Sequence, residues 1–147
     1  MQARLQGPNG QGLWPAFWML GTNIGSVGWP ACGELDIMEH INSDANVHGT
    51  IHWANPGHAS YEAMNAGTSF TAFHNYAVNW TSSSITWYID GASKGAANIL
   101  NNINGTDEFH KSFFVLLNLA VGGTWPGSPN GSTPMPANMN IDYVAWN

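Results

Sequence analysis

Turn-forming residues interrupt this chain at short intervals, and no stretch between them carries the sustained 3.6-residue periodicity of an amphipathic helix. Gly7-Pro8-Asn9-Gly10, Asn55-Pro56-Gly57, Asp90-Gly91 and a long loop over residues 122–136 separate β-leaning segments. Those segments predict strands over residues 2–6, 14–20, 34–40, 47–53, 75–80, 84–89, 112–121 and 139–146. Ile85-Thr86-Trp87-Tyr88-Ile89 running into Asp90-Gly91 is the clearest hairpin signal. A short turn over residues 107–111 is the best helical candidate, and residues 69–74 read as irregular. Many short strands at this spacing predict an all-β fold, an antiparallel sandwich or barrel. With no repeat or linker to divide it, the chain is expected to form one domain over residues 1–147.

Charge narrows the partners. Charged residues make up 8% of the chain, against roughly 25% in an ordinary soluble domain. The net charge is −6 and Arg4, Lys94 and Lys111 are the only fixed cations, which argues against nucleic acid or an anionic membrane as partner. An uncharged substrate suits such a surface. No apolar run approaches the roughly 18 residues of a membrane span. Cys32 is the only cysteine, so an internal disulfide and a cysteine-based zinc cluster are both excluded. The opening MQARLQGPNG lacks the basic-then-apolar form of a signal peptide. Eight tryptophans are many for 147 residues. About half are expected in an aromatic core, and the rest offer indole faces to pyranose rings.

Three of the nine acids fall within six residues, in Gly33-Glu34-Leu35-Asp36-Ile37-Met38-Glu39. On a strand, Glu34 and Asp36 share a face while Leu35 and Ile37 take the other. Strict alternation would put Met38, not Glu39, beside the acids. A one-residue bulge at Ile37-Met38 would return Glu39 to their face. Like charges this close push at least one pKa upward, as retaining glycoside hydrolysis requires: one carboxylate attacks the anomeric carbon while a protonated acid serves the departing oxygen. A solvated acidic edge strand and a calcium site are the competing readings of the same residues. Calcium wants more oxygen ligands from a flexible loop, whereas these acids alternate with Leu, Ile and Met.

The run Glu34-Leu35-Asp36-Ile37-Met38-Glu39 resembles the signature of glycoside hydrolase family 16, in the longer form found in laminarinase-like enzymes, agarases and carrageenases. The resemblance extends over the chain in order. It takes in Gly12-Leu13-Trp14-Pro15-Ala16-Phe17-Trp18-Met19-Leu20-Gly21, Trp29-Pro30, Phe73-His74-Asn75-Tyr76 with Trp80, and Trp87-Tyr88-Ile89-Asp90-Gly91. It closes with Leu117-Asn118-Leu119-Ala120-Val121-Gly122-Gly123-Thr124-Trp125-Pro126-Gly127 and Ile141-Asp142-Tyr143-Val144. The family fold so implied is a β-jelly roll of two curved antiparallel sheets with an open cleft, suited to endo attack on a polymer. By the same resemblance Glu34 is the nucleophile, Glu39 the general acid/base and Asp36 the assisting carboxylate. The implied reaction is hydrolysis of β-1,3- or mixed β-1,3-1,4-glucan. A non-catalytic glucan-binding module and an agarase or carrageenase are the alternatives, and the scarcity of cations speaks against a sulfated polysaccharide.

Trp14 and Trp29 are the expected sugar-stacking positions, with Trp125 a third whose loop would equally suit packing on the sandwich edge. His52 is expected near the acid/base, with a core histidine as the competing reading. Arg4 is expected to reach the cleft, and Asn118 to anchor backbone. Trp18, Trp80, Trp87 and Trp146 are assigned to the core. His48 and His52 form an H-x-x-x-H pair with no third zinc ligand in view. No cofactor is required; Asp142 matches a family calcium position, and structural calcium is the one metal left open. The resemblance also implies that strands usually precede Gln2, about a third of a domain that commonly runs about 200–250 residues. Their absence would expose sheet edges, so a homodimer or strand-swapped assembly is expected. A polymeric substrate implies secretion.

Overall fold

The computed structural model describes residues 1–146. Its ten strands are β1 (Gln2–Gln6), β2 (Leu13–Gly21), β3 (Glu34–Glu39), β4 (Asn46–Ala54), β5 (His58–Gly67), β6 (His74–Trp80), β7 (Ser84–Ile89), β8 (Ala92–Asn98), β9 (Phe113–Val121) and β10 (Asn140–Ala145). They form two antiparallel sheets, ordered β10-β1-β6-β7-β8 and β5-β4-β3-β2-β9. Every predicted strand is present to within about two residues at each end, and the fold is the expected two-sheet sandwich. One helical turn, Ile24–Val27, and a run of 3-10 turns over Leu100–His110 complete the chain. The turn predicted over residues 107–111 lies at the end of that run.

Two strands escaped the sequence reading, and for one reason. β5 (HASYEAMNAG) and β8 (ASKGAAN) are built largely from Ala, Gly, Asn and charged residues, which have little strand preference of their own. Each is an edge strand held by its ladder to one neighbour, β4 or β7. The two edges meet and close that side of the sandwich. A Cβ at residue 95 would overlap the Ala63 carbonyl oxygen, so Gly95 is what lets the sheets approach.

The core lies between the sheets. Phe17, Met19, Leu35, Ile37, Met38, Val47 and Ile51 from one sheet face Ala3, Leu5, Tyr76, Val78, Ile85 and Trp87 from the other. Burying side chains of this size contributes about 1.5–3 kcal/mol apiece. On the side opposite β5 and β8, the outer edges of β9 and β10 have no partner strand among the described residues, and Phe114, Val121, Ile141, Tyr143 and Val144 are exposed there. Trp87 belongs to the core as assigned. Trp146 does not: it is 70% exposed, and Trp80 is half-buried, its indole donating to the Phe109 carbonyl at 3.0 Å. No helix among the described residues is long and apolar enough to cross a membrane.

Candidate active site

The site is built around a defect in β3. Against β2, Trp18 pairs with Asp36 and Phe17 with Met38; against β4, Asp36 pairs with Thr50 and Glu39 with His48. Both neighbours therefore skip one residue: against β2 it is Ile37, and against β4 the single Gly49 spans Ile37 and Met38. With that residue absorbed, Leu35, Ile37 and Met38 all enter the core, while Glu34, Asp36 and Glu39 share the outer face. The bulge turns the Asp36 carbonyl inward, and Trp87 of the opposite sheet donates its indole N–H to it at 2.8 Å. That bond satisfies an acceptor the ladder has lost. Room for the indole comes from Gly49 on β4, where a Cβ would lie 2.5 Å from Trp87 Cδ1 and Nε1.

Each outer acid has its own partner. Trp29, on the loop between β2 and β3, donates its indole N–H to Glu34 Oε2 at 2.7 Å. Trp14 of β2 does the same for Glu39 Oε1 at 2.9 Å. Asp36 is 2% exposed, and its Oδ2 lies 3.3 Å from His52 Nε2 without an aligned hydrogen bond. Neither Lys nor Arg pairs with any of the three acids among the described residues. Burial pushes Glu39 up to about 8, helped by the neighbouring Asp36 charge and opposed by the Trp14 bond. Burial likewise raises Glu34, against the pull of His52 and Trp29. It raises Asp36 well above the usual carboxylate range, with the Glu34 charge adding to it. At neutral pH this strand holds protons that exposed carboxylates would have released.

A cavity of about 190 Å³ opens above the strand, lined by Trp14, Trp18, Glu34, Asp36, Glu39 and Asn118 among others. Trp18 corrects its core assignment: it lies on the outer face, half-buried, and donates to Asn118 Oδ1 at 2.7 Å. Asn118 correspondingly lines the cavity and bonds a side chain rather than backbone. Their positions follow from the ladder, since Trp18 and Trp14 alternate on β2 and Asn118 stands opposite Ala16 on β9. Trp29 is 50% exposed and Trp125 42%. Trp125 meets the Trp14 ring edge-on at 5.5 Å and the His48 ring at 5.1 Å. His52 is on the acid face, opposite Glu34. Its Nδ1 is 2.9 Å from Nε2 of His58, a residue the sequence reading did not single out because β5 itself went unseen.

Arg4 is a correction. β1 belongs to the other sheet, Ala3 and Leu5 take its core face, and Arg4 points out of the far side of the sandwich. There its guanidinium bonds Asp142 Oδ2 at 2.8 Å and lies 4.6 Å over the Phe73 ring. Asp142 is the extra residue of a second bulge, where β10 passes β1 between Arg4 and Leu5. His48 and His52 both project from the outer face of β4 but serve different partners, His48 bonding Glu62 Oε1 at 2.6 Å.

A family model described as glycosyl hydrolases family 16 matches residues 1–145. The α subunit of clotting factor G from Tachypleus tridentatus is 38% identical over 98% of this chain and 22% of its own length. A β-glucanase from Rhodothermus marinus is 37% identical over 98% of this chain and 54% of its own. The crystal structure of an endo-β-1,3-glucanase from Pyrococcus furiosus superposes with a TM-score of 0.82 at 40% identity, covering 96% of this chain and 57% of that one. The chain thus spans between about a fifth and three fifths of these relatives.

Proposed function

The chain belongs to glycosyl hydrolase family 16, and from that membership we propose that it cleaves β-1,3- or mixed β-1,3-1,4-glucans by endo attack with retention of configuration. The observation that carries the reading is the bulged β3, which brings a nucleophile and a protonated acid to one face of one strand. Retention asks for two carboxyls about 5–5.5 Å apart, a separation within reach of two glutamates on one face of one strand. Trp29 holds Oε2 of Glu34 and leaves Oε1 free to attack the anomeric carbon. Trp14 holds Oε1 of Glu39, so its proton sits on Oε2, facing the departing glycosidic oxygen. Once the first sugar leaves, the Glu39 carboxylate takes a proton from water, and that water releases the glycosyl group from Glu34. Asp36, buried between them, holds a proton or a negative charge that tunes both. Trp14, Trp29 and Trp125 are the apolar surfaces against which the pyranose rings stack.

Reducing-end release from laminarin, barley β-glucan, agarose and carrageenan, compared with the Glu34→Gln variant, tests the reading. Activity on the first two substrates that disappears in the variant is expected. Saturable glucan binding with no hydrolysis would instead identify a recognition module. A glucan polymer is met outside the cell, so the site of action is extracellular. The unpaired edges of β9 and β10 support a homodimer or strand-swapped assembly. A sedimentation mass that stays monomeric as concentration rises would refute that part.

A further inference from the structure

Asp36 Oδ2 is a buried acceptor without a hydrogen-bond donor. It faces a gap bounded by Glu34 and His52, and the donor atoms of the three residues all lie within 4.8 Å of one another. Hydrolysis uses the two carboxylates, but it leaves unexplained why an imidazole completes the triangle. We propose that Glu34, Asp36 and His52 form a binding site for a borderline-soft divalent cation, zinc or copper(II), whose occupancy blocks the nucleophile and switches hydrolysis off.

The donor set makes the choice. Imidazole nitrogen and carboxylate oxygen are both ordinary zinc ligands, and three of them leave a fourth, tetrahedral position for water. The Irving–Williams order favours copper and zinc over manganese at such a site. Calcium wants more oxygen ligands than these residues offer, and magnesium takes carboxylates and waters in place of an imidazole. Three atoms no more than 4.8 Å apart lie within about 2.8 Å of a common point, and contraction by about 0.6–0.8 Å reaches the about 2.0–2.2 Å of Zn–N and Zn–O bonds. The carboxylates bring the negative charge, and no fixed cation competes for it among the described residues.

The outer partners are also in place. A metal on His52 Nε2 requires the proton on Nδ1, and His58 Nε2 stands 2.9 Å away to accept it. Trp29 lies over the His58 ring at 4.7 Å and donates to Glu34, so one side chain steadies both ends of the ligand set. His52 is 22% exposed along its side chain, which leaves an entry path from solvent.

The switching-off rests on the hydrolytic reading above, whereas the binding does not, so two readouts separate them. Calorimetric titration of the chain with zinc chloride near pH 7 should give one site per chain, unaffected by millimolar calcium. His52→Gln and Asp36→Asn should each weaken it more than about 100-fold, and His58→Gln by about 10-fold. Zinc bound equally well by His52→Gln and Asp36→Asn sits elsewhere, for instance at Asp44, His48 and Glu62, and overturns the proposal. So does the absence of zinc binding in the parent chain. Asp36→Asn is isosteric and removes a buried charge, so it is the variant expected to fold if His52→Gln does not. In hydrolysis, zinc should lower kcat in proportion to the occupied fraction, and a chelator should restore the rate. Bound zinc with an unchanged rate on laminarin would overturn the switch. A chain that binds zinc but hydrolyses nothing would count against the hydrolytic reading and against the switch while leaving the metal site standing.

Discussion

The two outer faces of the sandwich treat carboxylates in opposite ways. On the β1–β6 face, Asp142 meets Arg4 at 2.8 Å and Asp90 meets His74 at 2.6 Å, all near solvent. Burial pushes Asp90 up, but the Asn75 backbone N–H, His74 and Arg4 outweigh it and leave the carboxyl below its usual range. On the β3 face, three acids meet two indoles and an imidazole and, among the described residues, no fixed cation, and all three are pushed up. The first face spends its charges on holding strands together, each pair contributing well under 1 kcal/mol in solvent. The second raises its acids by burial, so that Glu39 still holds a proton to give when Glu34 has ionised. The contrast is one of partners and burial, since the side chains are of the same kind.

The severest test of that contrast is Glu34→Gln, expected to lower kcat by about 10⁴-fold or more because the nucleophile itself is gone. Glu39→Gln should cost about 10²–10⁴-fold with glycoside leaving groups that need protonation. The parent rate should rise with pH as Glu34 ionises, above the ordinary glutamate range, and fall near pH 8 as Glu39 loses its proton. A rate flat from pH 5 to 9 would break the comparison. Stability carries the same sign. Between the ordinary 4.5 and about 8 the folded chain holds the Glu39 proton and the unfolded chain does not, so Glu39 contributes stability that is full below 4.5 and lost as pH rises through about 8. Glu39→Gln should therefore have a higher Tm than the parent at pH 9 and little difference at pH 4.

Trp87→Phe probes the face from beneath. It strands the Asp36 carbonyl, and urea unfolding should show a loss of about 1–3 kcal/mol. Asp36→Asn removes the charge that helps hold Glu39 up, so the alkaline limb should move to lower pH, read from the pH–rate profile. Arg4→Gln should change unfolding free energy by less than about 1 kcal/mol and leave the rate untouched. A large loss of activity there would mean the two faces are not separate.

Much of this was open to sequence reading, and the failures have physical causes. The acids, the bulge and eight strands announce themselves through alternation and turn chemistry. β5 and β8 do not, because their strand character comes from the ladders beside them. His58 vanished with β5, and with it the outer partner of His52. Arg4 was misplaced because a residue near the start of a sandwich can lie on either sheet, and which one depends on the pairing of β1 with β6 and β10. Trp18 and Trp146 carry no sequence signal that lifts them out of a default core assignment except their place on the strand. For Trp18 that signal is simple alternation on β2, which puts it on the outer face with Trp14.

The skipped Ile37 has one more consequence. Counted on β3, Glu34 and Glu39 are five residues apart; counted on the strands beside it, from Leu20 to Ala16 or from His52 to His48, they are four. An even count on the neighbours is what keeps both acids on one side. A chain one residue shorter at Ile37 would lose the bulge yet present the same acids to the same side. Loss of one residue between Asp36 and Glu39, either Ile37 or Met38, is therefore silent for the chemistry, while loss of Leu35 would set Glu34 and Asp36 on opposite faces and turn one acid toward the core.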